Sequence, residues 1–194
     1  MTRISLRERK KHETRENLIR AAVSLAVEHG VAKVRVEDIA AMATVSPRTF
    51  NNYFPSKEDA ILDVALQLGV RISHSFAHAA PELNTDEVFR EAIISEFPEV
   101  PRKDWLSQLI LMYNDPELIV ERRRIDGQIE LMAARAIAQR ENIDEMRDIY
   151  PRLAAAVMIA TVHVAIQHWL TSEAETGFRE TLHNMLDLVK VARP

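Results

Sequence analysis

The chain has 194 residues, a formal net charge of −4 and no cysteine, which suits one large domain or two smaller ones and excludes disulfide staples, thiolate catalysis and cysteine-ligated zinc. Four glycines, eight prolines and 6% aromatic residues in a sequence that is 47% hydrophobic leave few turn signals and few strand formers, so an all-α fold is expected. The basic N-terminus, MTRISLRERKKHETREN, lacks the apolar run and small-residue cleavage site of a secretory signal, and the expected location is the cytoplasm.

Residues 1–11 carry Arg3, Arg7, Arg9, Lys10 and Lys11 and read as a basic arm. Such an arm either enters a minor groove, adds nonspecific attraction to DNA, or only keeps the chain soluble. Leu18, Ala22, Leu25 and Ala26 recur at helical spacing, predicting a first helix from about Arg7 to His29 that Gly30 ends. A short second helix, Val36 to Ala43, has Glu37 and Asp38 in its first turn, where carboxylates complement the helix dipole. Its N-cap falls on Arg35, which cannot accept a capping bond. Ser46 is a good N-cap and Pro47 fits the first helical position, so a third short helix runs to about Tyr53. Pro55 then breaks the chain, and Ser56 with Asp59 starts a long helix over 56–79, with Gly69 midway as the place to bend. Two short helices joined by a tight turn make a helix-turn-helix. Residues 1–54 hold ten Lys and Arg against six Asp and Glu, a balance of +4, so the other 140 residues carry −8: an acidic chain with a basic head.

The segment VRVEDIAAMATVSPRTFNNYFPSKEDAIL resembles the DNA-binding head of the TetR family of bacterial transcriptional repressors. The match covers Thr14 to Leu62 and is carried by Ser46, Thr49, Phe50, Tyr53, Phe54, Lys57 and Glu58 at the family's spacing. The resemblance implies a helix-turn-helix domain in 1–55 and a helical effector-binding and dimerisation domain in 56–194. It also implies a homodimer on a pseudo-palindromic double-stranded operator. The residues make physical sense on their own terms too. Phe50 and Phe54, four apart, can face Ile39, Ala40 and Val45, leaving the opposite face of the third helix for DNA. Ser46, Thr49, Tyr53 and Lys57 suit phosphate oxygens; Arg48 and either Asn51 or Asn52 suit base edges. With Arg35 and Thr44, these form the expected DNA-contacting set. Two positions depart from the family pattern. Thr44 stands where the turn usually has glycine, so the turn is either strained or closed differently, and Arg35 replaces the usual Ser or Thr cap.

Pro81, the Asn84–Glu87 capping box, Pro98, Pro101, Asp115-Pro116, Pro151 and Gly177 divide the acidic remainder into helices near 85–96, 102–113, 116–141, 150–171 and 178–191. The run Leu153–Leu170 reaches membrane-spanning length but contains Thr161, His163, Gln167 and His168, and is read as a buried helix of a soluble protein with no membrane partner. It is apolar on nearly every face, more than one core needs, and Ala156, Ala160, His163 and Gln167 form a stripe where a partner helix could approach; the alternative is a central core helix. Candidate effector contacts are Phe89, Trp105, Leu109, Met112, Tyr113, Arg123, Met132 and Trp169, within a wider group of large apolar residues that includes Phe76 and Phe97. The Asp115–Leu118 break and the Arg-rich helix after it resemble the TetR branch that includes the mycofactocin-system regulator, which implies an acyl-CoA effector with Arg122, Arg123 or Arg124 at a CoA phosphate.

Signatures of enzymes are missing: the sequence has no GxSxG, P-loop or HExxH motif, and only one Glu-x-x-His, at Glu180–His183. His74 and His78 are spaced for one helix face but read as solvated or satisfied histidines. No cofactor or metal is expected. The expected protein is a non-enzymatic, ligand-responsive repressor; the competing class is a helical ligand-binding or scaffolding dimer without operator recognition.

Overall fold

The computed structural model describes residues 5–80, 82–99, 102–172 and 177–189. Arg3, Pro81, Pro101 and the expected last turn of the final helix beyond 189 lie outside the described residues. Among the described residues there is no strand, and the helices are α1 (Leu6–His29), α2 (Val36–Met42), α3 (Pro47–Asn51), α4 (Lys57–His78), α5 (Thr85–Ser95), α6 (Lys103–Asn114), α7 (Pro116–Glu141), α8 (Tyr150–Thr171) and α9 (Phe178–Asp187). A single 3₁₀ turn, Val31–Lys33, joins α1 to α2 and was not legible from periodicity. The chain divides into two compact units, Met1–Val64 with Leu106–Arg122, and Ala65–Trp105 with Arg123–Pro194.

In the first unit, Leu18, Ala22 and Ala26 of α1, Ile39 and Ala40 of α2, Phe50, Phe54, and Ala60, Ile61 and Leu62 of α4 are essentially buried. Asp63, 3% exposed, takes the Arg15 guanidinium at 2.6 and 3.3 Å, and that guanidinium also lies 4.5 Å from the Phe54 ring centre. A buried carboxylate is tolerable only when paired, so this contact fixes α1 against α4. Much of the expected basic arm is the exposed first turns of α1. A capping box, with Ser5 Oγ accepting from Glu8 N–H and the Glu8 carboxylate accepting from Ser5 N–H, starts the helix there. The α6–α7 break is also built locally: Asp115 Oδ1 accepts from Glu117 N–H at 2.9 Å, and Arg122 donates to the Met112 carbonyl while its guanidinium lies 4.1 Å from the Tyr113 ring.

In the second unit, α7 holds two other helix ends. Arg140 donates to the carbonyls of Ala79, Ala80 and Leu83 in the connection from α4 to α5, and Thr85 at the start of α5 donates to Glu141. Arg90 of α5 reaches Asp86, Asp187 and the Val189 carbonyl, which ties α5 to the end of α9. Gly69 allows close approach to α7: a Cβ there would stand 2.7 and 2.8 Å from Cγ2 and Cγ1 of Ile129. The run read as a buried helix is buried on one side only. Ala154, Ala155, Met158, Thr161, Ala165 and Ile166 face inward, whereas Leu153 and Val164 are 58% and 55% exposed.

Candidate nucleic-acid interface

The turn between α2 and α3 closes with the hydrogen bonds of a Schellman motif: Val45 N–H donates to the Ala40 carbonyl at 2.9 Å and Thr44 N–H to the Ala41 carbonyl at 3.0 Å. That closure demands a left-handed residue, and Thr44 supplies it at φ +58°. Of the two alternatives left by the sequence, the turn is therefore closed in the usual way and strained. The same motif ends α7, with Ile143 N–H on the Ala138 carbonyl and Asn142 at φ +51°, and there an asparagine fits without comparable strain.

Ser46 Oγ accepts from Thr49 N–H at 3.1 Å and shares a hydrogen bond with Thr49 Oγ1 at 2.9 Å, so the two hydroxyls are locally engaged as well as close to the surface. Phe50 of α3 and Phe54 just beyond it are buried with ring centres 5.7 Å apart, and Arg48 and Asn51 of α3 with its C-cap Asn52 are exposed. A five-residue helix with one aromatic face buried and one Arg/Asn face outward presents donors and acceptors to a groove. Arg35 is exposed at the start of α2 and makes no side-chain capping bond, and Tyr53 is half-buried. Lys57 differs from its expected pose. Its ammonium donates to the Val31 carbonyl at 2.7 Å and lies 3.6 Å from Glu117 and 3.7 Å from Glu58, with the side chain 20% exposed.

The effector candidates separate. Leu109, Met112 and Tyr113 belong to the first unit; Phe89, Trp105, Arg123, Met132 and Trp169 belong to the second. Phe89 is a core residue, 3% exposed and edge-on to Phe76 at 5.0 Å. Trp105 and Trp169, half-buried, come together with ring centres 6.4 Å apart, joined by Phe97 and by Phe178, whose ring lies 5.6 Å from Trp105 and 5.2 Å from Trp169. Phe178, alone at the start of α9, gave no signal in the sequence. An open groove of about 380 Å³ between α4 and α5, lined by Ala79, Leu83, Val88 and Ala92 with Glu87 and Glu91, contains none of the candidates. Arg123 is exposed, whereas Arg122 is committed to Met112 and Tyr113. On α8, Ala160 and Gln167 are exposed, Ala156 is half-buried, and His163 lies 3.3 Å from Asp126 of its own protomer. His74 and His78 stack at 4.0 Å, and no group of three or more potential metal ligands occurs among the described residues.

A basic-headed, all-helical chain whose helix-turn-helix buries its phenylalanines and exposes Arg48, Asn51 and Asn52 defines a DNA-binding transcriptional regulator. Comparison with known proteins agrees. Residues 18–64 match the family described as bacterial regulatory proteins, tetR family, and residues 83–194 match that described as MftR C-terminal domain. The HTH-type transcriptional regulator TcmR of Streptomyces glaucescens is 32% identical over 176 residues, 84% of this chain and 76% of TcmR. The chain belongs to the TetR family. Solved structures share the fold at lower identity. A TetR-family regulator from Syntrophomonas wolfei has a TM-score of 0.67 at 16% identity, over 92% of this chain and 93% of that one. FadR of Thermus thermophilus, a TetR-family repressor in complex with lauroyl-CoA, has a TM-score of 0.57 at 21% identity, over 90% and 92%.

Proposed function

We propose that this regulator is a cytoplasmic repressor that binds a pseudo-palindromic operator as a homodimer and leaves it when a small apolar or amphiphilic molecule binds. Residues 1–55 carry DNA recognition and 56–194 carry effector binding and dimerisation. The observation that carries the reading is the outward Arg48, Asn51 and Asn52 face of α3 over buried Phe50 and Phe54. Arg48 with Asn51 or Asn52 reads bases; Arg35, Thr44, Ser46, Thr49, Tyr53 and Lys57 contact the backbone. The intact recognition face supports a regulator over a scaffolding dimer, and no catalytic step is assigned.

A second copy covers the exposed side of α8. That helix is long and apolar enough to cross a membrane by length and composition, and 28% of its most apolar stretch is buried within the protomer. Gln167 and His168 on the exposed side suit a protein interface better than lipid. For the effector, we favour a long-chain acyl-CoA, on the lauroyl-CoA bound by FadR, the MftR-type C-terminal match and the apolar second unit with Trp105 and Trp169 in contact. Both tryptophans of the chain sit in that cluster, so intrinsic fluorescence reports on it directly. Titration with acyl-CoAs of several chain lengths, free CoA and a neutral detergent, following tryptophan emission and operator binding at fixed salt, tests the assignment. The expected result is chain-length-dependent quenching and operator release in parallel. Equal effects from detergent, or indifference to chain length, would remove acyl-CoA and leave the regulator.

A further inference from the structure

Lys57 opens α4, whose first N–H groups favour an anion, yet its ammonium faces a carboxylate from another helix. Glu117, the second residue of α7, places Oε2 3.6 Å from Lys57 Nζ and is 44% exposed, while Lys57 is held from behind by the Val31 carbonyl at 2.7 Å. Glu58 also lies within 3.7 Å, but it is the next residue of α4 and moves with Lys57. Glu117 does not: it belongs to Leu106–Arg122, a segment that joins the head's compact unit from far along the chain. Its backbone is fixed by the Asp115 side chain, which accepts its N–H. An acceptor anion therefore stands beside the cation that a DNA phosphate would use.

We propose that Glu117 is an internal phosphate surrogate, an autoinhibitory contact that competes with the DNA backbone for Lys57 and so lowers operator affinity. This rests on the reading of Lys57 as a phosphate contact. A carboxylate and a phosphate oxygen cannot both occupy the same ammonium donors without mutual repulsion, so DNA binding has to displace Glu117 or bind without Lys57. Because Glu117 opens the helix whose later turns belong to the other unit, a shift of α7 along its axis changes the Lys57–Glu117 separation directly. The contact is partly exposed, so its effect is modest and salt-sensitive.

The test is a cycle of Glu117→Gln, Lys57→Met and the double variant, each read as operator affinity against salt, with circular dichroism melts to show that the head stays folded. The amide of Gln keeps the shape and removes the charge. The expected result is that Glu117→Gln tightens operator binding about two- to fivefold at low salt. It also steepens the log-log salt dependence by about one per head. Both effects should vanish in the Lys57→Met background. No change with Glu117→Gln would overturn the surrogate role. An equal gain in both backgrounds would overturn it as well, since it would reflect only a change in net charge. A Lys57→Met variant that binds DNA with unchanged affinity and slope would instead remove Lys57 as a phosphate contact, an outcome distinct from the other two.

Discussion

Thr44 is the point where the head is built against its own backbone preference, and replacing it measures that strain. A left-handed backbone costs a residue with a Cβ about 1–2 kcal/mol, more for a β-branched one. Glycine removes that penalty but gives back about 0.5–1 kcal/mol through the freedom it adds to the unfolded chain. Thr44 is exposed, so little packing is lost with its side chain. The expected net effect of Thr44→Gly is therefore a gain of about 0.5–1 kcal/mol. Thr44→Ala keeps a Cβ at φ +58° and should gain little; Thr44→Asn should fall between, as the asparagine at the matching turn of α7 suggests. Denaturant midpoints at fixed protein concentration, with the wild type and the three variants compared, provide the assay. A glycine variant no more stable than the alanine variant would refute the claim of backbone strain. Operator affinity should follow the hydroxyl instead, with Gly and Ala weakening it alike if Thr44 touches a phosphate.

Gly69→Ala should destabilise the protein by overpacking, about 1–3 kcal/mol before the ~1 kcal/mol helix-propensity gain, because Ile129 is β-branched and cannot turn both methyl-bearing arms away. In an Ile129→Ala background the same substitution should become stabilising, and equal effects in both backgrounds would mean that the close approach is not limiting. Arg15→Ala should cost about 3 kcal/mol in denaturant unfolding by leaving Asp63 buried without its cation, more than Asp63→Asn, which removes the charge itself. Ala160→Glu should put a charge into the uncovered face of α8 and yield monomers that bind DNA poorly; light scattering that still shows a dimer would exclude Ala160 from the interface.

Much of the architecture was legible because helix ends are written in short-range chemistry. The expected ranges 116–141 and 150–171 coincide with α7 and α8, each opened near a proline; Ser46 with Pro47 opens α3 as read, and Asn84 caps α5 by accepting from Asp86 and Glu87 N–H, the first half of the expected capping box. The Ser5–Glu8 capping box is equally local but lies inside the basic run of residues 1–11, where charge rather than a cap is the dominant pattern. Expectations that needed long-range partners fared differently. Nothing in the sequence links Lys57 to Val31 and Glu117, or Gly69 to Ile129, or brings Phe178 to Trp105 and Trp169, because such pairs depend on which helix faces meet rather than on spacing along one helix. The effector residues were the least legible for the same reason: large apolar side chains fill cores and pockets alike, and Phe89 is core.

Sequence-specific DNA recognition by the outward face of α3 is the central claim, and selection of bound duplexes from a random library tests it most directly. The full-length protein should enrich a pseudo-palindrome with half-sites about one helical turn apart or a multiple of it. Binding to that sequence should exceed binding to scrambled DNA at equal salt by about a thousandfold or more. The Arg48→Ala, Asn51→Ala double variant should lose the enriched motif while keeping salt-dependent nonspecific binding. Enrichment of no sequence by the wild-type protein, or of the same motif by the double variant, would contradict the assignment of α3 as the element that reads the operator.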